Sequence, residues 1–257
     1  MIDTHCHIDF PDFDSDREGV IAEARRNGVD RLINIGADIP SSRRSLELAK
    51  TNDNIYCTVG VHPHDSKTLT PAFLKEMETM TTSRKVVGIG EIGLDYYRNL
   101  SPHDIQKNAF VQQLDLAVTL HLPVVIHVRE AMDDALQIMK GYTGRLRGVF
   151  HCFPGTTEQA LRLAEMGFLI SVNGVLTYKN SRMAKVAQEV ELETILLETD
   201  SPYLTPDPYR GKRNEPAHVS IVCRKLAELR RVDTAEIDKI TTRNAEKLFK
   251  LVEIFGQ

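Results

Sequence analysis

None of the four cysteines, Cys6, Cys57, Cys152 and Cys223, forms a CxxC pair. The chain of 257 residues therefore offers no sign of a disulfide scaffold, and reduced thiols are expected. No run of about 18 apolar residues occurs, so no membrane span is expected. The opening MIDTHCHIDF has neither a basic stretch nor an apolar segment of the signal-peptide kind, and a cytoplasmic location is expected. Positive charge is not in excess. Lys and Arg total 32 against 36 Asp and Glu, a net charge of −4. That argues against a dedicated, electrostatically driven nucleic-acid binder, though not against an enzyme that handles nucleic acid at a local site. Linkers, low-complexity tracts and coiled-coil heptads are missing too, so one domain over residues 1–257 and a monomer are expected.

What is present is a repeat of form. A short apolar run is followed by a polar, helix-like stretch, eight times. The runs are 1–7, 31–37, 55–61, 86–91, 123–128, 148–152, 168–173 and 195–200. Most are continuously apolar, as parallel strands covered on both faces must be. Helices are expected at 16–27, 41–50, 73–81, 104–120, 157–165, 218–230 and 234–252. Thr156-Thr157-Glu158-Gln159 reads as a capping box and Gly167 as a stop. Eight strand–helix units predict an α/β fold, a single (β/α)8 TIM barrel with right-handed crossovers. The rival, a doubly wound open sheet, loses support because no GxGxxG follows the first strand.

In such a barrel the functional groups sit where strands end. Six of the nine histidines fall there: His5, His7, His62, His64, His127 and His151. His5 and His7 are two apart on a strand and so share a face, with Cys6 pointing the other way. Glu91 closes VVGIGE, and Asp200 follows Ile195-Leu196-Leu197. Each alone has a bland explanation, as a satisfied core histidine, a salt-bridged acid or a turn cap. Four imidazoles and two carboxylates at one end of one barrel are enough to hold two metals about 3.5–4 Å apart. Strands one and eight are neighbours in a closed barrel, which groups His5, His7 and Asp200 on one metal. Strands five and six group His127 and His151 on the other, with Glu91 bridging. This N and O donor set suits Zn²⁺, Mn²⁺ or Mg²⁺.

The blocks MIDTHCHIDF, GVHPH, VGIGEIGLDYYR, PVVIHVREA, FHCFPG, ETDSPYLTP and YRGKRNEP occur in this order over nearly the whole chain. Together they resemble the signature blocks of the TatD-related metal-dependent deoxyribonucleases. The resemblance implies a TIM barrel, metal-dependent hydrolysis of phosphodiesters and, in some members, 3′–5′ exonuclease activity. It places the metal ligands on His5, His7, Glu91, His127, His151 and Asp200, the set that the strand ends also select. Val128 stands where the family's block frequently has Ser, beside a ligand but facing away from the site.

The expected chemistry is in-line attack on phosphorus by a water shared between two metals. Asp200 is either a ligand alone or also the group that takes the water's proton; Glu91 completes the catalytic set. His62 and His64 can bind the substrate phosphate or protonate the leaving oxygen, His62 being nearer the strand end. Arg98, Arg129 and Arg210, with Lys212 and Arg213, are candidates for phosphate contacts in strand-exit loops, and Tyr96, Tyr97, Phe153 and Tyr203 for stacking on bases. The expected substrate is DNA, single-stranded or at a 3′ end, bound weakly and in a salt-sensitive way. Two other readings remain. One is an amidohydrolase-type metalloenzyme acting on an ester, lactone, amide or aminoacyl-tRNA. The other is a barrel kept as a binding module without catalysis, which a missing ligand would favour; none is missing.

Overall fold

A computed structural model of the chain describes residues 1–251. Eight parallel strands form one sheet in strict sequence order. They are β1 (Ile2–Cys6), β2 (Arg31–Ile35), β3 (Ile55–Val59), β4 (Val86–Asp95), β5 (Val124–Arg129), β6 (Gly148–Phe150), β7 (Phe168–Val172) and β8 (Ile195–Leu197). The helices between and after them are α1 (Arg17–Arg26), α2 (Ile39–Thr51), α3 (Pro71–Met80), α4 (His103–Leu120), α5 (Met132–Met139), α6 (Thr157–Glu165), α7 (Arg182–Glu189), α8 (Val219–Arg230) and α9 (Thr234–Phe249). This is the TIM barrel that the alternation predicts.

The ends of the elements shift in informative ways. β1, β6 and β8 stop one to three residues before the expected ends, so His7, His151 and Asp200 stand just past the last paired residue. β4 instead runs on to Asp95. α5 and α7 were not expected. Each is eight residues long and buries only three side chains, Ala135, Leu136 and Met139 or Met183, Val186 and Ala187, too few to mark a helical period in sequence. α9 ends at Phe249, and the expected end at 252 lies outside the described residues.

β8 meets β1 through a seam that closes the barrel. Thr4 Oγ1 donates to the Leu197 carbonyl at 2.8 Å. Beyond it, Asp200 N donates to the His5 carbonyl and His7 N to the Ser201 carbonyl, both at 2.8 Å. Buried Asp3 accepts from Thr199 N at 2.9 Å and from Thr199 Oγ1 at 2.6 Å. The first and eighth strands are thus stitched side by side where they carry their polar residues.

The bottom of the barrel is filled by Ile2, Ile33, Tyr56, Val87, Val125, Val149 and Leu196, which pack on Ala245, Leu248 and Phe249 of α9. Asn244 fastens α9 by donating to the Leu192 and Ile195 carbonyls at 2.8 and 3.0 Å. A second, larger apolar layer lies between sheet and helices, and Cys6 is part of it, as the alternation predicts. Among the described residues no helix is long and apolar enough to cross a membrane.

Candidate metal centre

The upper half of the same barrel holds the polar residues, and two local features position them. His5 and His7 flank outward-facing Cys6, and their Nε2 atoms converge to 3.1 Å. Gly93 sits at φ 144°, and a Cβ there would lie 1.9 Å from the His127 carbonyl oxygen. Only glycine lets β4 run this close to β5, and that closeness brings Glu91 and Asp95 to either side of the His127 ring.

Glu91 is central, buried, and addressed on both oxygens. Its Oε2 lies 3.5 Å from His5 Nε2 and 3.7 Å from His7 Nε2. Asp200 Oδ1 lies 3.6 Å from each of the same two nitrogens. Glu91 Oε1 lies 3.0 Å from His127 Nδ1 and 2.9 Å from His151 Nε2. Those two nitrogens are 3.2 Å apart. His62 Nε2 approaches Glu91 Oε1 at 3.5 Å. One carboxylate therefore faces two separate cups of imidazole nitrogen.

The donors fit divalent ions. Ligands about 2.0–2.2 Å from a tetrahedral ion sit roughly 3.3–3.6 Å from one another. The spacings in the His5–His7–Glu91–Asp200 cup are of that size. His7 Nδ1 donates to the Ile35 carbonyl at 3.1 Å, which leaves Nε2 of the neutral ring a lone pair available to a cation.

Electrostatics follow from burial and from the carboxylates. Burial, reinforced by neighbouring imidazoles, pushes the His5 and His62 imidazoles down, His62 well below its usual range. Burial opposes charge on His151 as well, but facing Glu91 and Glu198 it is held well above that range. The same contacts hold Glu91 well below an ordinary carboxyl despite its burial. A carboxylate that stays ionised when buried is the kind a cation can use.

Three acids that the sequence reading did not single out complete the surroundings. Asp95, almost fully buried, accepts from His127 Nε2 at 3.2 Å and from His64 Nε2 at 2.9 Å. Glu198 is fully buried and receives Cys152 N at 2.8 Å, Asn173 Nδ2 at 2.9 Å and the Ser171 hydroxyl. It lies 3.6 Å from His151 Nδ1, and with His5 and His151 it forms a further group of converging donor atoms. Asp3, buried in the seam, is pushed up to about 8 by that burial. The available signals were spacing: Asp95 is four residues past Glu91, and Glu198 two before Asp200.

The expected substrate residues are spread around the rim. The Arg129 guanidinium lies 3.8 Å from the Tyr97 ring centroid, and that of Arg210 4.2 Å from the Tyr178 ring. Arg98 is exposed, and its backbone N–H donates to Asp95 Oδ1 at 2.8 Å. Arg213 is occupied by Asp16 at 2.7 Å and Glu215 at 2.9 Å. Tyr97 and Tyr203 are about half exposed, at 55% and 54%. Phe153 is buried and has no face free for stacking. Tyr96 donates its hydroxyl to Asp134 at 2.7 Å and stacks on His103.

Known proteins resemble this chain in sequence and in fold. The model of the family described as TatD related DNase matches residues 2–250. The uncharacterized metal-dependent hydrolase YabD of Bacillus subtilis is 40% identical over 253 residues, covering 98% of this chain and 99% of that protein. The 3′-5′ ssDNA/RNA exonuclease TatD of Musicola paradisiaca is 34% identical over 260 residues, covering 98% of each. Among solved structures, that of YJJV, a TatD homolog from Escherichia coli K12, superposes with a TM-score of 0.92 at 33% identity over 98% of each chain.

Proposed function

The chain belongs to the TatD-related DNase family, and from that premise we propose that it is a metal-dependent deoxyribonuclease, a single-domain phosphodiester hydrolase that removes nucleotides from single-stranded 3′ ends of DNA. The observation that carries the reading is Glu91 with one oxygen turned to each of two nitrogen cups. His5, His7 and Asp200 would hold one divalent ion and His127 and His151 the other, with Glu91 offering one oxygen to each. Two such ions, Mg²⁺, Mn²⁺ or Zn²⁺, would lower the pKa of a water and stabilise the entering and departing oxygens.

The chain's own residues do the rest. Asp200 touches the first cup through Oδ1, and its second oxygen takes the water's proton. Burial keeps His62 neutral, and nearby cations only reinforce that. His62 therefore contributes a hydrogen bond to a phosphate or leaving oxygen rather than a full proton. Arg129 and Arg210, each held over a tyrosine ring, can turn N–H groups to phosphates further along the strand. Arg98 adds a third positive charge at the rim, and Tyr97 and Tyr203 offer faces for bases. His64 stands between that rim and Asp95.

The test is cleavage of an end-labelled single-stranded oligonucleotide by metal-stripped protein. Mg²⁺, Mn²⁺ and Zn²⁺ are restored one at a time, with Asp200→Asn as control. Metal-dependent laddering from the 3′ end, lost in the control, is expected. Two bound ions with no cleavage would move the reading to ester or amide substrates.

A further inference from the structure

Asp95 joins two imidazoles through a single oxygen. Its Oδ2 accepts from His127 Nε2 at 3.2 Å and from His64 Nε2 at 2.9 Å. Its Oδ1 accepts the Arg98 N–H at 2.8 Å. Its own N–H goes to Gln106 Oε1 at 2.8 Å, and Gln106 Nε2 returns to the Asp95 carbonyl at 3.0 Å. Each oxygen therefore has assigned donors, and the side chain cannot turn without losing one.

A neutral imidazole carries one proton, and the nitrogen without it is the only one able to ligate. His5 and His7 turn Nε2 toward Glu91 and Asp200, and His151 turns Nε2 toward Glu91. His127 is reversed: its Nδ1 lies 3.0 Å from Glu91 Oε1 and 3.2 Å from His151 Nε2. It can ligate from there only if its proton is on Nε2. We propose that Asp95 is a positioning residue that fixes His127 as the Nε2–H tautomer, so that the second cup receives the Nδ1 lone pair. This rests on the metal-centre reading above and adds to it the polarity of one ring.

Asp95→Asn tests the idea because the amide inverts one oxygen. The Arg98 N–H requires the amide oxygen at the Oδ1 position. The NH2 group then occupies the Oδ2 position and points its hydrogens at His127 and His64. His127 Nε2 must accept, its proton moves to Nδ1, and that proton faces Glu91 Oε1 in place of a cation. Loss of such an outer partner weakens metal binding by about 10–100-fold.

Long-range ¹H–¹⁵N spectra of metal-free protein at alkaline pH read the tautomer, with His127 signals identified by their loss in His127→Gln. The expected result is Nε2–H in the parent and Nδ1–H in Asp95→Asn. Zn²⁺ or Mn²⁺ titration should give two ions in the parent and one strong ion in the variant. An Nδ1–H tautomer in the parent overturns the proposal, even if the variant does not fold. So does a variant that keeps Nε2–H and binds the second ion with parental affinity. A parent that binds fewer than two ions defeats the metal-centre reading instead, while the tautomer switch still decides the role of Asp95.

Discussion

The two halves of the barrel interior are built from the same eight strands and opposed principles. The lower half is Ile2, Ile33, Val87, Val125, Val149 and Leu196, closed by Leu248 and Phe249 of α9. Its strength is non-directional burial, and an apolar side chain of the right volume serves it nearly as well. The upper half gathers His5, His7, Glu91, His151, Asp3 and Glu198, all buried. Every group there costs free energy to bury and recovers it only through particular partners. One half gives the stability that the other half consumes. Active sites that hold like or unpaired charges depend on such a reserve elsewhere in the fold.

If this division is right, damage to the two halves should separate. Glu91→Gln should leave the barrel folded and remove most of the turnover. The loss should be on the order of 10³-fold or more in kcat on an oligonucleotide, because the amide removes the negative charge that faces both cups and puts an NH2 group in place of one of the two oxygens. A variant retaining near-parental activity would break the comparison at its centre. Ile33→Ala, in the lower half and fully buried, should do the reverse. It should cost about 2–5 kcal/mol of unfolding free energy in urea, with unchanged metal binding per folded molecule.

A smaller effect tests the upper half's own contribution to stability. Burial should raise the Glu198 carboxyl, but His151 and the Ser171 hydroxyl outweigh it and hold it at about 2. A depressed carboxyl stabilises the fold fully above its ordinary value, near 4.5, and loses that contribution as pH falls toward 2. Glu198→Gln should therefore be less stable at pH 6 by about 1–3 kcal/mol and show a flatter acid limb between pH 4.5 and 3. Equal acid sensitivity in the two proteins would show that this carboxylate does not hold the layer together. Arg129→Ala and Arg210→Ala, at the exposed rim, should have the mildest consequences. Each should weaken oligonucleotide binding without regard to sequence and lower the slope of log affinity against log salt by about 1.

The sequence made one of these halves far more legible than the other. Apolar runs spaced by helix-like stretches are enough to predict the strand order, because continuous burial leaves a continuous signal. The ligand candidates were legible too. His5 and His7 share a face by alternation, and Glu91, His127, His151 and Asp200 each close an apolar run. Asp95 and Glu198 were not. Nothing in GLD or LLE tells an acid that orients an imidazole from one that caps a turn. The distinction rests on the β4–β5 register, which pairs Gly93 with His127, and on which oxygen meets which ring nitrogen. α5 and α7 were missed for the related reason that eight residues give too little periodicity.

The seam between β1 and β8 carries a consequence for the timing of synthesis. His5 and His7 leave the ribosome well over a hundred residues before Asp200. The cup they share is assembled when Thr199 reaches Asp3 and Asp200 N reaches the His5 carbonyl. A nascent or truncated chain holds the histidines and lacks the closing acid. The four-donor cup is therefore withheld from any chain that stops before β8, and its appearance coincides with the meeting of β1 and β8.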